Sequence, residues 1–332
     1  MNSIINFKNI MYYSYNIVFI FALTTNATLA DSVDKSILVK QNGEVENITG
    51  AFTESDTHPF GFDDYTNWSL NAMDYYGSIK MGKCILPYIS ISRGIFGNTN
   101  FILNPPSIQN PVNLHSNPIT LVYSPFSTRT SCNVLFFMMY NFLDTQNLVA
   151  KKEERKLSEI QVKNYRAKYV SVGIRLVHED RYLSTDIDFQ NAVSTINKVY
   201  KQACIEISVF QLAPKTVRFD LDNNGKLDVS DWTTAEMDTI IQAADDNNYD
   251  KMLFVVSNPS DNSNGFMMYN QRYGFIHFNS GQTIAHELGH GFGLYHTYEI
   301  PNKGHDDLNL MDPVWRADRL KLRFNQWNIV NP

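Results

Sequence analysis

The stretch "HELGHGFGLYH", from His286 to His296, holds three of the eight histidines of this 332-residue chain within eleven positions. If the stretch begins as a helix, His286 and His290 lie one turn apart on the same face, because positions four apart differ by only about 40° around the axis. Two imidazoles on one face can share one metal ion. The spacing therefore predicts a metal site built on a helix.

The rest of the stretch predicts that this metal site is catalytic. A catalytic zinc site uses three protein ligands and keeps one position open for water. Gly293 can take the left-handed conformation that ends a helix, which lets the chain bring His296 back to the same ion as the third ligand. Glu287 lies beside the first ligand and is not needed as one, so we expect it to act as the general base toward water at the metal.

The sequence resembles the metzincin zinc endopeptidases, whose signature is HExxHxxGxxH. Five residues match that signature: His286, Glu287, His290, Gly293 and His296. Met311, in "NLMDP", stands where the Met-turn of these enzymes lies beneath the metal. Within the clan, "HELGHGFGLYHTY" is most similar to the pappalysin (cytophagalysin) group. The resemblance covers about residues 169–332 and implies a mixed twisted sheet above the zinc helix, with an extended peptide substrate beside an edge strand, here "GFMMY".

The resemblance leaves the group that stabilises the oxyanion open. Several metzincins carry a tyrosine two positions after the methionine, and this chain has Pro313 there. Tyr295 and His305 are the nearest candidates by sequence, with packing or surface roles as the alternative.

The pattern of apolar residues predicts two domains with different architectures. From Tyr169 onward, strand-like and helix-like segments alternate, which favours a layered α/β (α+β) sheet. Residues 31–150 contain short β-branched and aromatic runs broken by turn residues, which favours a β-rich, sandwich-like domain. The predicted organisation is a signal peptide over 1–30, a β-rich N-terminal domain over 31–150, a charged linker over 151–168 and a metzincin-like catalytic domain over 169–332.

A second motif, "DLDNNGKLDVSD", has the ligand order of an EF-hand calcium loop and resembles the loops of dockerins. Its side-chain ligands, at loop positions 1, 3, 5, 9 and 12, would be Asp220, Asp222, Asn224, Asp228 and Asp231. Gly225 falls at position 6 and Lys226 offers its backbone carbonyl at position 7. The alternative is a polar Asn-Gly turn that caps the following helix. The expected cofactors are therefore Zn²⁺ and, with this alternative open, Ca²⁺.

The N-terminal sequence predicts an exported protein, the net charge argues against a nucleic-acid partner, and the resemblance to endopeptidases implies a protein or peptide substrate. The net charge of −6 gives no sign of a nucleic-acid partner. Between Lys8 and Asp31 there is no charged residue, and the short apolar core within that window is typical of a secretory signal peptide, with an uncleaved anchor as the alternative. We expect the mature chain to be secreted or periplasmic without stable membrane insertion. The oligomeric state stays open.

Three cysteines allow one disulfide in an oxidising compartment. We predict a bridge between Cys84 and Cys132, which would leave Cys204 as a free thiol. Three unpaired buried thiols are the alternative.

Together these features predict a secreted zinc endopeptidase. The alternative is a secreted adhesin or effector that binds a host or envelope protein and carries a non-catalytic zinc site. Residues 31–150 are expected to be an accessory domain, with a latency-conferring prodomain as the alternative.

Overall fold

The computed structural model describes the strands before residue 145 together with Gly61, and then residues 145–152, 155–179, 188–230, 233–256, 264–277, 280–298, 308–313 and 318–332. The predicted signal peptide, 1–30, lies outside these residues. Within the part of the chain that is described, no helix is long and apolar enough to cross a membrane.

The strands are numbered in chain order. They are β1 (Leu38–Val39), β2 (Val45–Glu46), β3 (Thr49–Thr53), β4 (Phe62–Asp63), β5 (Met73–Asp74), β6 (Tyr88–Ser92), β7 (Phe96–Asn104), β8 (Asn113–Ser116), β9 (Thr120–Tyr123), β10 (Ser131–Met138), β11 (Thr145–Lys152), β12 (Arg155–Tyr165), β13 (Lys168–His178), β14 (Ile205–Thr216), β15 (Lys251–Val255), β16 (Gly265–Met267), β17 (Tyr273–Ile276) and β18 (Thr297–Tyr298). The helices are α1 (Phe189–Tyr200), α2 (Ala235–Ala244), α3 (Gly281–Gly291) and α4 (Phe324–Val330), with a 3-10 turn at Lys201–Ala203.

The chain divides into two compact units. Unit 1 comprises Met1–His58 and Arg93–Asn164, and unit 2 comprises Pro59–Ser92 and Tyr165–Pro332. In unit 1 every described element is a strand. Four strands form an antiparallel sheet in the order β3-β7-β10-β9, β8 and β12 flank β11 as antiparallel neighbours, and β1 pairs with β2.

Unit 2 is built on a five-stranded sheet in the order β14-β13-β15-β17-β16. The first four strands are parallel, and β16 pairs antiparallel with β17 as a short edge strand. Strands and helices alternate along the chain from residue 168, so the predicted mixed α/β fold class is confirmed at that level. Two smaller antiparallel pairs, β4 with β6 and β5 with β18, complete the unit.

Helices cover both faces of this sheet. On one face, α1 and α3 pack with α4 over a core that includes Ile174, Ile196 and Leu288. The two helices α1 and α3 approach closely, because a Cβ atom at Gly281 would come within 2.6 Å of Oγ1 of Thr195. On the other face, α2 packs through Met237 and its apolar neighbours. The histidine motif therefore lies on a helix that packs against both the sheet and a second helix.

The segment predicted to be a charged linker, 151–168, consists mainly of strands. It contains the end of β11, all of β12 and the start of β13, and β11 pairs with β12 along its length. In β12 the buried residues Ile160 and Val162 alternate with the more exposed Gln161 and Lys163. This period of two is typical of a half-buried strand, and the high charge of the segment concealed it.

The division between the units also differs from the predicted one, which places the domain boundary at the linker over 151–168. Residues 59–92 belong to unit 2, because they contact its C-terminal part. The buried carboxylate of Asp63 accepts hydrogen bonds from Nη1 of Arg323 at 3.1 Å and from the backbone N–H of Phe324 at 2.9 Å. Gly61 packs against the buried indole of Trp327 with no room for a Cβ atom. The unit that carries the histidines therefore includes part of the N-terminal region.

Candidate metal centre

Helix α3 carries the first two histidines, and its start and end are both fixed by local hydrogen bonds. Oγ of Ser280 caps the helix by accepting the backbone N–H of Thr283 at 3.0 Å. Ile284 and Leu288 are buried in the core beneath the sheet. His286 and His290 share the opposite, partly exposed side.

The helix ends in a Schellman motif at Gly293, the residue at which the sequence predicts that the helix stops. Gly293 has φ = +94°, and the prediction of a left-handed residue at this position is confirmed. Its N–H donates to the carbonyl of His290 at 2.9 Å, and the N–H of Leu294 donates to the carbonyl of Gly289 at 2.8 Å. This turn directs the following residues back toward the helix face that carries the histidines.

The three histidines come together at one point. Nε2 of His296 lies 3.0 Å from Nε2 of His286 and 3.1 Å from Nε2 of His290. All three histidine residues are partly exposed to solvent. The sequence pattern thus brings together the three candidate ligands that it predicted.

The outer nitrogens of the first two rings define which atoms face the centre. Nδ1 of His286 lies 2.7 Å from the carbonyl oxygen of Leu310, and Nδ1 of His290 lies 2.8 Å from that of Leu294. A carbonyl oxygen only accepts, so Nδ1 carries the hydrogen in both rings. In a neutral imidazole this makes Nε2 an acceptor with a lone pair aimed at the centre.

This arrangement of lone pairs suits a cation. One hydrogen on Nε2 of His296 cannot point at two acceptors 3.0 and 3.1 Å away, so His286 and His290 cannot both be hydrogen bonded by it. Two imidazole nitrogens on a tetrahedral zinc ion are separated by about 3.4 Å, given Zn–N bonds of about 2.0–2.1 Å. The observed separations are close to that value, so the residues present fit a zinc ion.

The electrostatics keep the imidazoles neutral. Burial lowers the pKa of His286, and Arg319 adds to this, although the carbonyl of Leu310 and the charge of Asp312 act in the opposite direction. Burial and the two neighbouring imidazoles hold the pKa of His290 well below its ordinary value. Burial and His286 lower the pKa of His296 to about 4. Neutral imidazole is the form that binds metals.

Met311 lies beneath the helix at Gly289, between the two positions that carry His286 and His290. It is fully buried, and its sulfur packs against Gly289 so closely that this position has no room for a Cβ atom. The carbonyl of Met311 accepts the N–H of Thr297 at 2.9 Å, directly after the third histidine. A buried ion pair between Asp312 and Arg319, with a separation of 2.6 Å, follows in the same segment. The methionine turn is therefore bonded to the segment that carries His296.

The side chain of Glu287, a residue of α3, lies between this helix and the edge strand β16. The residue is 6% exposed. A Cβ atom built at Gly265 would lie 2.7 Å from its Cγ and 2.9 Å from its Oε1. The carboxylate therefore packs directly against the backbone of the edge strand, where only glycine leaves enough space. Burial, with the charge of Glu287 as a further cause, raises the pKa of the nearby Tyr200 well above its ordinary value.

A second group of candidate ligands lies in the acidic loop. Carboxylate oxygens of Asp220, Asp222 and Glu236 lie within 4.8 Å of one another. Of the predicted calcium ligands, Asp220 and Asp222 belong to this group, whereas Asp231 lies outside the described residues. Glu236, in the first turn of α2, was not predicted. Its side chain reaches back over the loop, a contact that spacing within the twelve-residue motif does not reveal.

Backbone and side-chain hydrogen bonds shape this loop. Glu236 accepts the N–H groups of Leu221 and Asp228, both at 2.7 Å. Asp220 accepts the N–H of Gly225 at 2.8 Å, and Gly225 has φ = +83°.

The remaining predicted ligands of the loop stay at its surface or make local contacts. Nδ2 of Asn224 donates to Asp222 at 2.8 Å and lies 3.5 Å from Asp228, and Oδ1 of Asn224 accepts the N–H of Lys226 at 2.8 Å. The structure thus supports a folded turn as well as a group of metal-type ligands.

The remaining predicted site residues are the two oxyanion candidates, Tyr295 and His305, and the three cysteines. Tyr295 stacks on Tyr269 with ring centroids 4.0 Å apart and planes 8° from parallel. His305 and Cys84 lie outside the described residues, so neither the oxyanion role nor the Cys84–Cys132 bridge is tested. Cys204 is a buried free thiol, and burial raises its pKa.

No family model matches the sequence, and no curated protein matches it. A chain from the structure of a chaperone–substrate complex shares 12% identity, covers 60% of this chain and 37% of its own length, and has a TM-score of 0.32. The ZirS C-terminal domain shares 7% identity, covers 42% of this chain and 84% of its own length, and has a TM-score of 0.22. This chain spans little more than a third of the first of these structures.

Proposed function

We propose that this protein is a zinc-dependent endopeptidase with a metzincin-like catalytic unit. One observation carries the proposal. The Nε2 atoms of three neutral imidazoles converge, and a carboxylate on the same helix packs against the edge strand of the sheet. A purely structural zinc site needs neither solvent access nor an acidic neighbour.

The set of ligand atoms supports zinc as the metal. Three imidazole nitrogens with a fourth position open to solvent are the ligands of catalytic zinc sites. Each of the two helix histidines donates its outer N–H to a backbone carbonyl, the kind of contact that orients metal ligands. When bound, zinc supplies a Lewis acid that polarises a carbonyl group and lowers the pKa of water.

Glu287 is assigned to proton transfer. It follows His286 directly in sequence, yet it lies against Gly265 at the edge strand. As a carboxylate it accepts a proton from the attacking water, and as an acid it later delivers that proton to the leaving amine. Because its side chain is largely buried, few water molecules compete for it.

The edge strand β16 supports a peptide as substrate. β16 pairs only with β17 in the described sheet and lies at its edge. An extended peptide can add to such an edge through main-chain hydrogen bonds, which places its backbone next to Glu287. Recognition through the main chain fits a protein or peptide substrate, and the net charge of −6 gives no sign of nucleic acid.

The N-terminal region is proposed to remain with the catalytic unit. Asp63 and Gly61 contact the last helix of unit 2, so removal of everything before residue 151 would expose a buried arginine and tryptophan. This favours an accessory role over a disposable prodomain. The proposed location is outside the cytoplasm, after cleavage of a signal peptide over 1–30.

Calcium is proposed as a second, structural ion. Asp220, Asp222 and Glu236 supply three carboxylates in one small loop, and oxygen ligands with several negative charges suit Ca²⁺. Glu236 takes the place that the sequence assigned to Asp231. The loop lies on the α2 side of the sheet, so its proposed role is to hold that side together.

Cleavage mapping with the full-length protein tests the peptidase proposal. A denatured peptide library is incubated with wild type, with chelator-treated protein and with the same protein after zinc is returned. We expect new termini at a reproducible set of sites, lost with the chelator and regained with zinc. Full zinc occupancy without any new termini would reject the peptidase and favour the adhesin or effector alternative.

A further inference from the structure

The carbonyl groups at the end of α3 are bonded to a neighbouring turn. The last carbonyls of a helix have no intrahelical partners and need donors from elsewhere. The carbonyl of His290 accepts the N–H of Asn270 at 2.8 Å as well as that of Gly293. The carbonyl of Gly291 accepts Nζ of Lys251 at 2.7 Å. Donors from this turn and from β15 therefore complete the end of the helix that carries the candidate metal ligands.

The same lysine also holds the turn between the two strands at the sheet edge. Nζ of Lys251 donates to the carbonyl of Gln271 at 2.7 Å. Gln271 lies in the turn between β16 and β17, so one ammonium group joins this turn to the helix end. Met267, the last residue of β16, packs on Gly291, where a Cβ atom would come within 2.7 Å of its sulfur. The edge strand and the helix end are thus connected by polar and apolar contacts.

We propose that Lys251 is a positioning residue for the metal centre. Its ammonium group fixes the last turn of α3, and through it the ring of His290 and the start of the turn that brings His296 back. Its positive charge lies at the C-terminal end of the helix, where the helix dipole favours a cation. This inference rests on the proposed metal site but not on the proposed hydrolysis.

A second lysine provides a matched control. Nζ of Lys168 lies 5.7 Å from the centroid of the Phe292 ring, and Nζ of Lys251 lies 5.6 Å from it. The hydrogen bond of Lys168 goes to the carbonyl of Val330, at the end of α4, at 2.8 Å. Both lysines therefore contact the same ring, and only Lys251 bonds to the metal-binding helix.

The test compares Lys251→Met with Lys168→Met in the full-length protein. Zinc affinity is measured by competition with a chromophoric chelator, and ligand geometry by the visible absorption of the Co²⁺-substituted protein. We expect Lys251→Met to weaken zinc binding by about 10–100-fold, the usual effect of losing a residue that orients ligands, and to change the Co²⁺ spectrum. Lys168→Met should keep the wild-type spectrum and zinc affinity, even if both variants lower the melting temperature.

Two further variants cover the case in which Lys251→Met does not fold. Lys251→Arg keeps the charge and offers several donors, so it should restore zinc affinity and the Co²⁺ spectrum. Lys251→Gln keeps donors without the charge and should be intermediate. Wild-type affinity and spectrum in Lys251→Gln, or equal losses in the two methionine variants, would overturn the proposal. Zinc binding without hydrolysis in wild type would overturn only the peptidase.

Discussion

The two candidate metal clusters of unit 2 differ in how far apart their ligands lie in sequence and in whether the ligand atoms already accept backbone hydrogen bonds. The imidazole cluster takes all three ligands from eleven consecutive positions, and its inward nitrogens point at one another. The carboxylate cluster combines Asp220 and Asp222 with Glu236, sixteen positions after the first of them. Its oxygens already accept backbone N–H groups. The two candidate clusters can therefore depend on their ions to very different degrees.

This difference predicts that the imidazole cluster mainly affects activity and the carboxylate cluster mainly affects stability. One hydrogen on Nε2 of His296 cannot satisfy both of its imidazole neighbours, so a bound metal ion would complete this site. Three carboxylates within 4.8 Å repel one another, and the backbone N–H groups of the loop already offset part of that repulsion. We therefore expect zinc to determine activity and calcium to adjust stability.

The largest expected effect follows from removing one imidazole. His290→Ala leaves two ligands, which form a poor zinc site, so bound zinc and peptide hydrolysis should both be lost. Metal analysis of the purified variant measures the first loss, and peptide cleavage the second. Calcium should still raise its melting temperature, because the acidic loop keeps its ligands. Loss of the calcium response in this variant would mean that the two clusters are not independent.

The second effect separates metal binding from proton transfer within the imidazole cluster. Glu287→Gln keeps the shape of the side chain and removes its basicity. It should retain about one zinc per chain and lose about 10²–10⁴-fold in the rate of hydrolysis, as is typical for removal of a general base. A rate equal to that of wild type would reject the proposed mechanism.

The third effect concerns the contact between the base and the edge strand. Gly265→Ala places a methyl group 2.7 Å from Cγ of Glu287 and displaces the carboxylate. Displacement of a catalytic group by about 1 Å can cost about 10²-fold in rate, so we expect a kcat reduced by about that factor, with zinc content unchanged.

Gly274→Ala is the control for this variant. A Cβ atom at Gly274 is equally crowded, at 2.7 Å, but by Leu253 instead of Glu287. It should lower stability without a selective loss of kcat. Equal kcat losses in the two variants would show that general strain, and not the position of Glu287, causes the effect.

The sequence predicted the imidazole cluster well because local rules determine it. A helix places His286 and His290 together, and a glycine with φ = +94° brings His296 back. No local rule indicates that Gly265 faces Glu287, or that Lys251 reaches the end of α3, because both contacts depend on how the sheet packs against the helix. The contact between Glu236 and the acidic loop also depends on packing, here of α2 against the loop, and no local rule predicts it.

The fold was predicted less evenly. The alternation of strands and helices after residue 168 was clear in the apolar pattern and is confirmed. The charge of residues 155–165 favours a linker, but these residues form strand β12, because the charged side chains lie on its more exposed side. The membership of residues 59–92 in unit 2 depends on Asp63 and its buried partner Arg323, two positions far apart in sequence, and no periodicity connects them.

The smallest expected effect concerns the carboxylate cluster. An ion that binds only the folded state stabilises it by about 2.7 kcal/mol when its free concentration is 100-fold above Kd, so saturating calcium should raise the melting temperature by a few degrees. Asp220→Ala and Glu236→Gln should each abolish this increment and leave zinc near one per chain. Glu206→Gln, which removes an exposed carboxylate from β14, is the charge-matched control and should keep the increment.

A wild-type melting curve that does not change with calcium would reject the calcium site and leave a turn held by its own hydrogen bonds. A calcium response that survives in Glu236→Gln but not in Asp220→Ala would return the last ligand position to Asp231.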